Sequence, residues 1–105
     1  MDVSINMVLT ANEIKKLVLP LFRKYRVRRA GLFGSAASGK MHRNSDIDLL
    51  VKVDNSFSLF DLIELKQALE KKLGKKVDLV EYSSIKSALK KEILRNEVRI
   101  YDAAG

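Results

Sequence analysis

At 105 residues the chain is one domain with room for a single small core, and the absence of cysteine excludes disulfides and thiolate metal sites. A hydrophobic share of 47% beside 31% charged residues fits a water-soluble globular domain, and no apolar run approaches the ~18 residues of a membrane span. The net charge of +7 calls for an acidic partner, whether a nucleoside triphosphate, a nucleic acid or an acidic protein surface.

The opening MDVSINMVLT has neither the basic region nor the apolar stretch of a signal peptide, so a cytoplasmic location is expected. Thr10-Ala11-Asn12-Glu13 reads as a capping box that opens a helix, with Ile14, Leu17, Val18, Leu21 and Phe22 at helical spacing. Pro20 falls inside that pattern and predicts a kink or break. Residues 27–33 read as a strand running into Gly34, residues 34–45 as a small polar loop with room for one helical turn, and residues 46–53 as a second strand. Ser58 opens a helix whose apolar face is Leu62, Leu65, Leu69 and Leu73 and whose stop is Gly74. Residues 76–82 form a third strand; Ser83 or Ser84 is expected to cap a last helix with a stripe of Ile85, Ala88, Leu89 and Ile93, ended near Asn96. Val98, Ile100 and Tyr101 suggest a short final extended segment. The predicted architecture is α/β (α+β): one small mixed sheet with helices packed mainly on one face, a single domain over 1–105 with its core at about 10–101.

Three acids carry the chemistry. Asp46 and Asp48 occupy alternate positions at the start of a hydrophobic strand, so their side chains share a face with Cα atoms ~6.6 Å apart. Asp78 sits between Val77 and Leu79 in the third strand, where an unpaired carboxylate is expensive. If those two strands are neighbours, all three acids meet. That donor set suits Mg²⁺, which takes few protein ligands and completes its octahedron with substrate oxygens and water. Two such ions would make a site for phosphoryl-type displacement. Gly34 permits close backbone approach, Ser35 adds a hydroxyl, and together they can hold phosphate oxygens. Lys40 and Arg43, in the same loop, are electrostatic candidates for the triphosphate, whereas His42 reads as a surface residue.

Two competing motifs fail. Residues 34–40 match the first seven positions of a Walker A loop, but Met41 stands where Ser or Thr must ligate the metal, and a strand follows instead of a long helix. Asn44, Asp46 and Asp48 alternate like a calcium loop but lack its Gly and its closing acid. The three tyrosines are scattered, so no aromatic platform for single-stranded nucleic acid is visible.

Gly34-Ser35, ten residues, Asp46-Ile47-Asp48 and a later Asp78 resemble the signature of the polymerase-beta-type nucleotidyltransferase superfamily, and in particular its minimal branch, the MNT proteins that pair with HEPN-domain toxins. The likeness extends over nearly the whole chain. It implies that ATP binds with Mg²⁺, its outer phosphates on Gly34 and Ser35, with Asp46, Asp48 and Asp78 as metal ligands. It also implies that AMP passes to a hydroxyl acceptor, a tyrosine of the partner HEPN toxin, which is thereby silenced. A homo- or hetero-oligomer is compatible with this. The chain departs from the pattern at Ala36 and Ser38, where relatives often carry Arg. Lys40 compensates only in part, because a point charge lacks the bidentate fork. The alternative is therefore a catalytically weak binding module that neutralises its partner by contact.

Overall fold

The computed structural model describes residues 9–34, 37 and 46–104. The order is α1 (Ala11–Lys24), β1 (Arg29–Phe33), β2 (Ile47–Lys52), α2 (Leu59–Leu73), β3 (Val77–Glu81), α3 (Ser87–Asn96) and β4 (Val98–Asp102). The strands form one mixed sheet in the order β3-β2-β1-β4. β1 is antiparallel to both β2 and β4, while β2 and β3 run parallel. The parallel pair needs a crossover, and α2 supplies it.

Alternation assigns the two faces. Ile47, Leu49 and Val51 of β2 join Ala30, Leu32, Val77 and Ile100 in one buried layer against Ile14, Val18 and Phe22 of α1 and Leu65, Leu69 and Leu73 of α2. The other face carries Asp48, Leu50 and Lys52. The expected arrangement of helices mainly on one face is thus met by α1 and α2. The third helix, α3, buries none of its residues completely, and Leu89 of its expected stripe is 52% exposed.

Local chemistry sets the helix ends. Thr10 and Ser58 both close reciprocal capping boxes, with Glu13 and Asp61 respectively. Gly74 ends α2 in the left-handed conformation at φ 67°. Ser58→Ala should cost about 1 kcal/mol, the usual value of such a cap, and the midpoint of a urea titration reads it directly.

Two local expectations change. Pro20 neither ends nor divides α1: it lies inside a continuous helix, exposed, while Ile14, Val18 and Phe22 are buried on both sides of it. Anchorage of both halves outweighs the one backbone hydrogen bond that proline removes. Ser83 and Ser84 do not cap the last helix but lie in a 3₁₀ turn, Tyr82–Ser84, and α3 starts only at Ser87 behind Lys86, without a side-chain cap.

Candidate functional site

Two short connections bring the acids together. The Val77 N–H donates to Glu70 Oε2 at 3.0 Å, tying the start of β3 to α2, and the Ile47 N–H donates to the Lys76 carbonyl at 2.8 Å, tying the start of β2 to the start of β3. These bonds fix the register in which Asp48 stands directly beside Asp78. Adjacent residues of paired strands point to the same face, so both carboxylates leave the sheet on the side away from the core. Asp46 lies just before β2, exposed, on the same alternation. The conditional expectation about neighbouring strands is met.

Gly34 completes the group. It follows Phe33, which pairs with Asp48 across the β1–β2 ladder, and it turns with φ 67°. A Cβ at position 34 would come 2.5 Å from Asp48 Oδ2, so the glycine backbone lies against the carboxylate. The Ala37 N–H donates to the Gly34 carbonyl at 3.2 Å, and Ala37 is helical, as expected of a helical turn in this loop. Ser35, Lys40 and Arg43, together with Ala36, Ser38 and His42, lie outside the described residues.

Asp48 is the acid of this group whose surroundings act on it most. Partial burial raises its carboxyl above the ordinary range, and the negative charges of Asp78 and then Asp46 raise it further. The ion pairs seen among the described residues join Arg99 to Glu97 and to Asp102 and involve none of the three acids. Among the described residues no three acids are grouped closely enough to hold a metal ion by themselves. A divalent ion bound here would take few ligands from the protein and its remaining oxygens from substrate and water. Asp46, Asp48 and Asp78 are the residues that would hold it.

A fourth acid on this face went unread in the sequence. Glu97, just before β4, packs its side chain against Gly31 of β1 in the space a Cβ would fill. The side chain is 5% exposed, with Oε1 3.6 Å from the Arg99 guanidinium and Oε2 without a hydrogen-bond partner. Its available signal was Gly31 itself, since a glycine inside a strand marks close approach by another group.

Residues 12–104 match the model of the polymerase beta nucleotidyltransferase family. The chain belongs to that family. A nucleotidyltransferase of Methanocaldococcus jannaschii, named as a candidate protein adenylyltransferase, is 45% identical over 89 residues, 85% of this chain and 96% of its own length. The protein adenylyltransferase MntA of Thermococcus cleftensis is 39% identical over 97 residues, 89% of this chain and 98% of its own. Among solved structures, a toxin–antitoxin crystallised with AMP-PNP superimposes with a TM-score of 0.73 at 28% identity, over 85% of this chain and 73% of the other. A structure described as a minimal nucleotidyltransferase superimposes with a TM-score of 0.75 at 32% identity, over 86% of this chain and 95% of its own, in keeping with the fold that the sequence resemblance implied.

Proposed function

We propose that this nucleotidyltransferase transfers AMP from ATP to a hydroxyl of a protein acceptor, a tyrosine of a HEPN toxin, and so acts as the toxin's antitoxin. One observation carries the reading: Asp48 stands in register beside Asp78 and against the Gly34 backbone, with its carboxyl raised by partial burial and then by the other two acids. The names of the relatives from Methanocaldococcus and Thermococcus, and the toxin–antitoxin bound to a nucleotide analogue, support the choice of substrate and partner.

Each residue then has a role. Gly34 leaves room for the β- and γ-phosphates beside Asp48, with Ser35, Lys40 and Arg43 as further donors to them. Asp46, Asp48 and Asp78 would hold magnesium, and Asp78 stands on the far side of Asp48 from Gly34, the side assigned to the incoming hydroxyl. Magnesium, when bound, neutralises the triphosphate and makes the attacking hydroxyl more acidic. The acceptor oxygen bonds to the α-phosphorus, the bond to pyrophosphate breaks in line with it, and the hydroxyl proton passes to a carboxylate or to water.

The test is transfer of α-labelled phosphate from ATP to the co-purified acceptor. Asp46→Ala should reduce it by roughly 10²-fold, the scale for losing one electrostatic group from a charged transition state. Undiminished labelling by that variant would remove the acids from the mechanism. A second reading, neutralisation by contact, draws on the exposed apolar edge of α2, where Phe60 is 80% exposed beside Leu59 and Ile63. If Asp46→Ala still suppresses the toxin in cells as well as the parent does, contact is the function and transfer is secondary.

A further inference from the structure

Along β2 from Asp48, at Lys52, the sheet borders a cavity of about 260 Å³. Its lining includes Arg29 of β1, Lys52, Tyr82, and Lys90 and Leu94 of α3, with Glu81 as the acid among them. Lys90 and Leu94 make α3 one wall of the cavity. This helix is the least anchored of the three. Unlike α1 and α2, it buries none of its residues completely and starts without a side-chain cap.

Three observations mark the cavity as a place for an anion. Arg29 and Lys52 are direct partners across the β1–β2 ladder, and like charges opposite one another destabilise a strand pair. The ion pairs seen among the described residues join Arg99 to Glu97 and to Asp102, and involve neither these two cations nor Lys90. Tyr82 is only 6% exposed, and its hydroxyl is buried without a hydrogen-bond partner. The same holds for Nε of Arg29, whose guanidinium lies 5.0 Å from the Tyr82 ring centroid. Buried polar groups without partners are rare in folded chains and point to a partner from outside. A guanidinium, two ammonium groups and a phenol, set against one carboxylate, match the several oxygens and the charge of a phosphoryl anion.

Position separates this cavity from the acids. Lys52 is four residues from Asp48 along β2, or ~13 Å, beyond the ~10 Å over which exposed charges act on one another at 0.1 M salt. We propose that the cavity binds a phosphoryl anion, free phosphate or the terminal phosphate of a small molecule, and that the anion fastens α3 to the sheet by bridging Lys90 to Arg29 and Lys52. No bond is made or broken there, so the site stands apart from the transfer reaction. A ligand held by the docked helix and not by the undocked one favours docking by mass action. Its concentration therefore sets how firmly α3 is held.

The probe is inorganic phosphate, titrated calorimetrically against chloride at constant ionic strength and without divalent metal. The parent should bind one phosphate per chain, and the amide hydrogens of α3 should exchange more slowly once phosphate saturates. Lys52 and Lys90 are exposed, so the fold does not depend on them. Lys52→Ala/Lys90→Ala should bind phosphate at least about tenfold more weakly, the scale for losing one charge-assisted hydrogen bond, and its α3 amides should not respond. Tyr82→Phe deletes an unpaired buried hydroxyl, so it should melt no lower than the parent in phosphate-free buffer, yet lose at least about fivefold in phosphate affinity. Lys71→Ala/Lys72→Ala removes the same charge from the last turn of α2, at the opposite end of β3, and should bind within about twofold of the parent because distant charges are screened. AMP-PNP with magnesium, bound at the Gly34 end, should likewise leave phosphate affinity within about twofold. AMP in place of phosphate identifies the source and keeps the site either way: tighter binding means a phosphate carried on a small molecule, equal or weaker binding means free phosphate. No saturable binding, equal loss from the two lysine pairs, parental affinity in Tyr82→Phe, or α3 exchange that ignores bound phosphate overturns the proposal. Displacement of phosphate by AMP-PNP also overturns it, by assigning the cavity to the incoming nucleotide. So does displacement by a ten-residue oligothymidylate through the same lysines, since the surface is then a nucleic-acid groove.

Discussion

Asp48→Asn should give a protein that folds, survives higher temperature in metal-free buffer at pH 7, and no longer transfers nucleotide. Stability and activity separate because the same charge does both jobs. In the folded chain burial and the neighbouring Asp78 and Asp46 raise the Asp48 carboxyl above its ordinary range. A carboxyl raised by folding binds its proton more tightly in the folded than in the unfolded chain. Its favourable contribution is therefore complete below the unfolded value, ~3.9, and is lost as pH climbs through the higher folded value. At neutral pH the ionised group is a liability that asparagine removes. The gain in melting temperature should be present at pH 7 and shrink on acidification toward the ordinary aspartate range. Magnesium should raise the melting temperature of the parent and leave Asp48→Asn almost unmoved. Loss of a central metal ligand removes several kcal/mol of transition-state stabilisation, so transfer should fall by ~10³-fold or more. Transfer by the parent should decline on acidification at a higher pH than an ordinary aspartate would dictate, because protons compete with metal for Asp48. A variant less stable than the parent at pH 7 without metal would show that Asp48 is held by contacts that outweigh the repulsion.

How much of this could be read from the chain depended on the range of each interaction. The pairing of Asp46 with Asp48 on one face was legible because strand alternation is local. The partnership with Asp78 was legible only as a condition, because nothing in residues 46–53 or 76–82 says that those strands lie side by side. The crossover through α2 and the bonds at Val77 and Ile47 decide that. Ser58 and Gly74 announced the ends of α2 correctly because caps are local motifs. Ser83 and Ser84 announced a cap that is not there, since the preceding strand runs into a 3₁₀ turn first. Pro20 read as a kink or a break, and the break is absent because propensity carries no knowledge of the buried residues on both sides of it. Glu97 and the Arg29–Lys52 pair were invisible for a stricter reason: each becomes informative only once a register places it opposite a residue remote in sequence.

Gly34→Ala should be a milder change in stability and a severe one in activity, and Gly74→Ala is its internal control. Both glycines adopt φ 67°, so each substitution places a Cβ in the left-handed region at ~1–2 kcal/mol. At Gly74 a Cβ meets nothing within 4 Å, so Gly74→Ala should cost only that and leave transfer unchanged. At Gly34 the Cβ would come 2.5 Å from Asp48 Oδ2. A carboxylate at the end of a side chain can rotate away, so the extra cost to folding is small. The rotation, however, takes Asp48 out of line with Asp78, and the added methyl fills the space beside it that the proposed function gives to phosphate. Misplacing a reacting group by ~1 Å costs about 10²-fold in rate, and Gly34→Ala should lose at least that in label transfer while its urea midpoint falls little further than that of Gly74→Ala. The affinity for AMP-PNP with magnesium should fall with it. If both glycine variants keep parental transfer rates, Asp48 does not need the room Gly34 gives it, and the phosphates are held elsewhere.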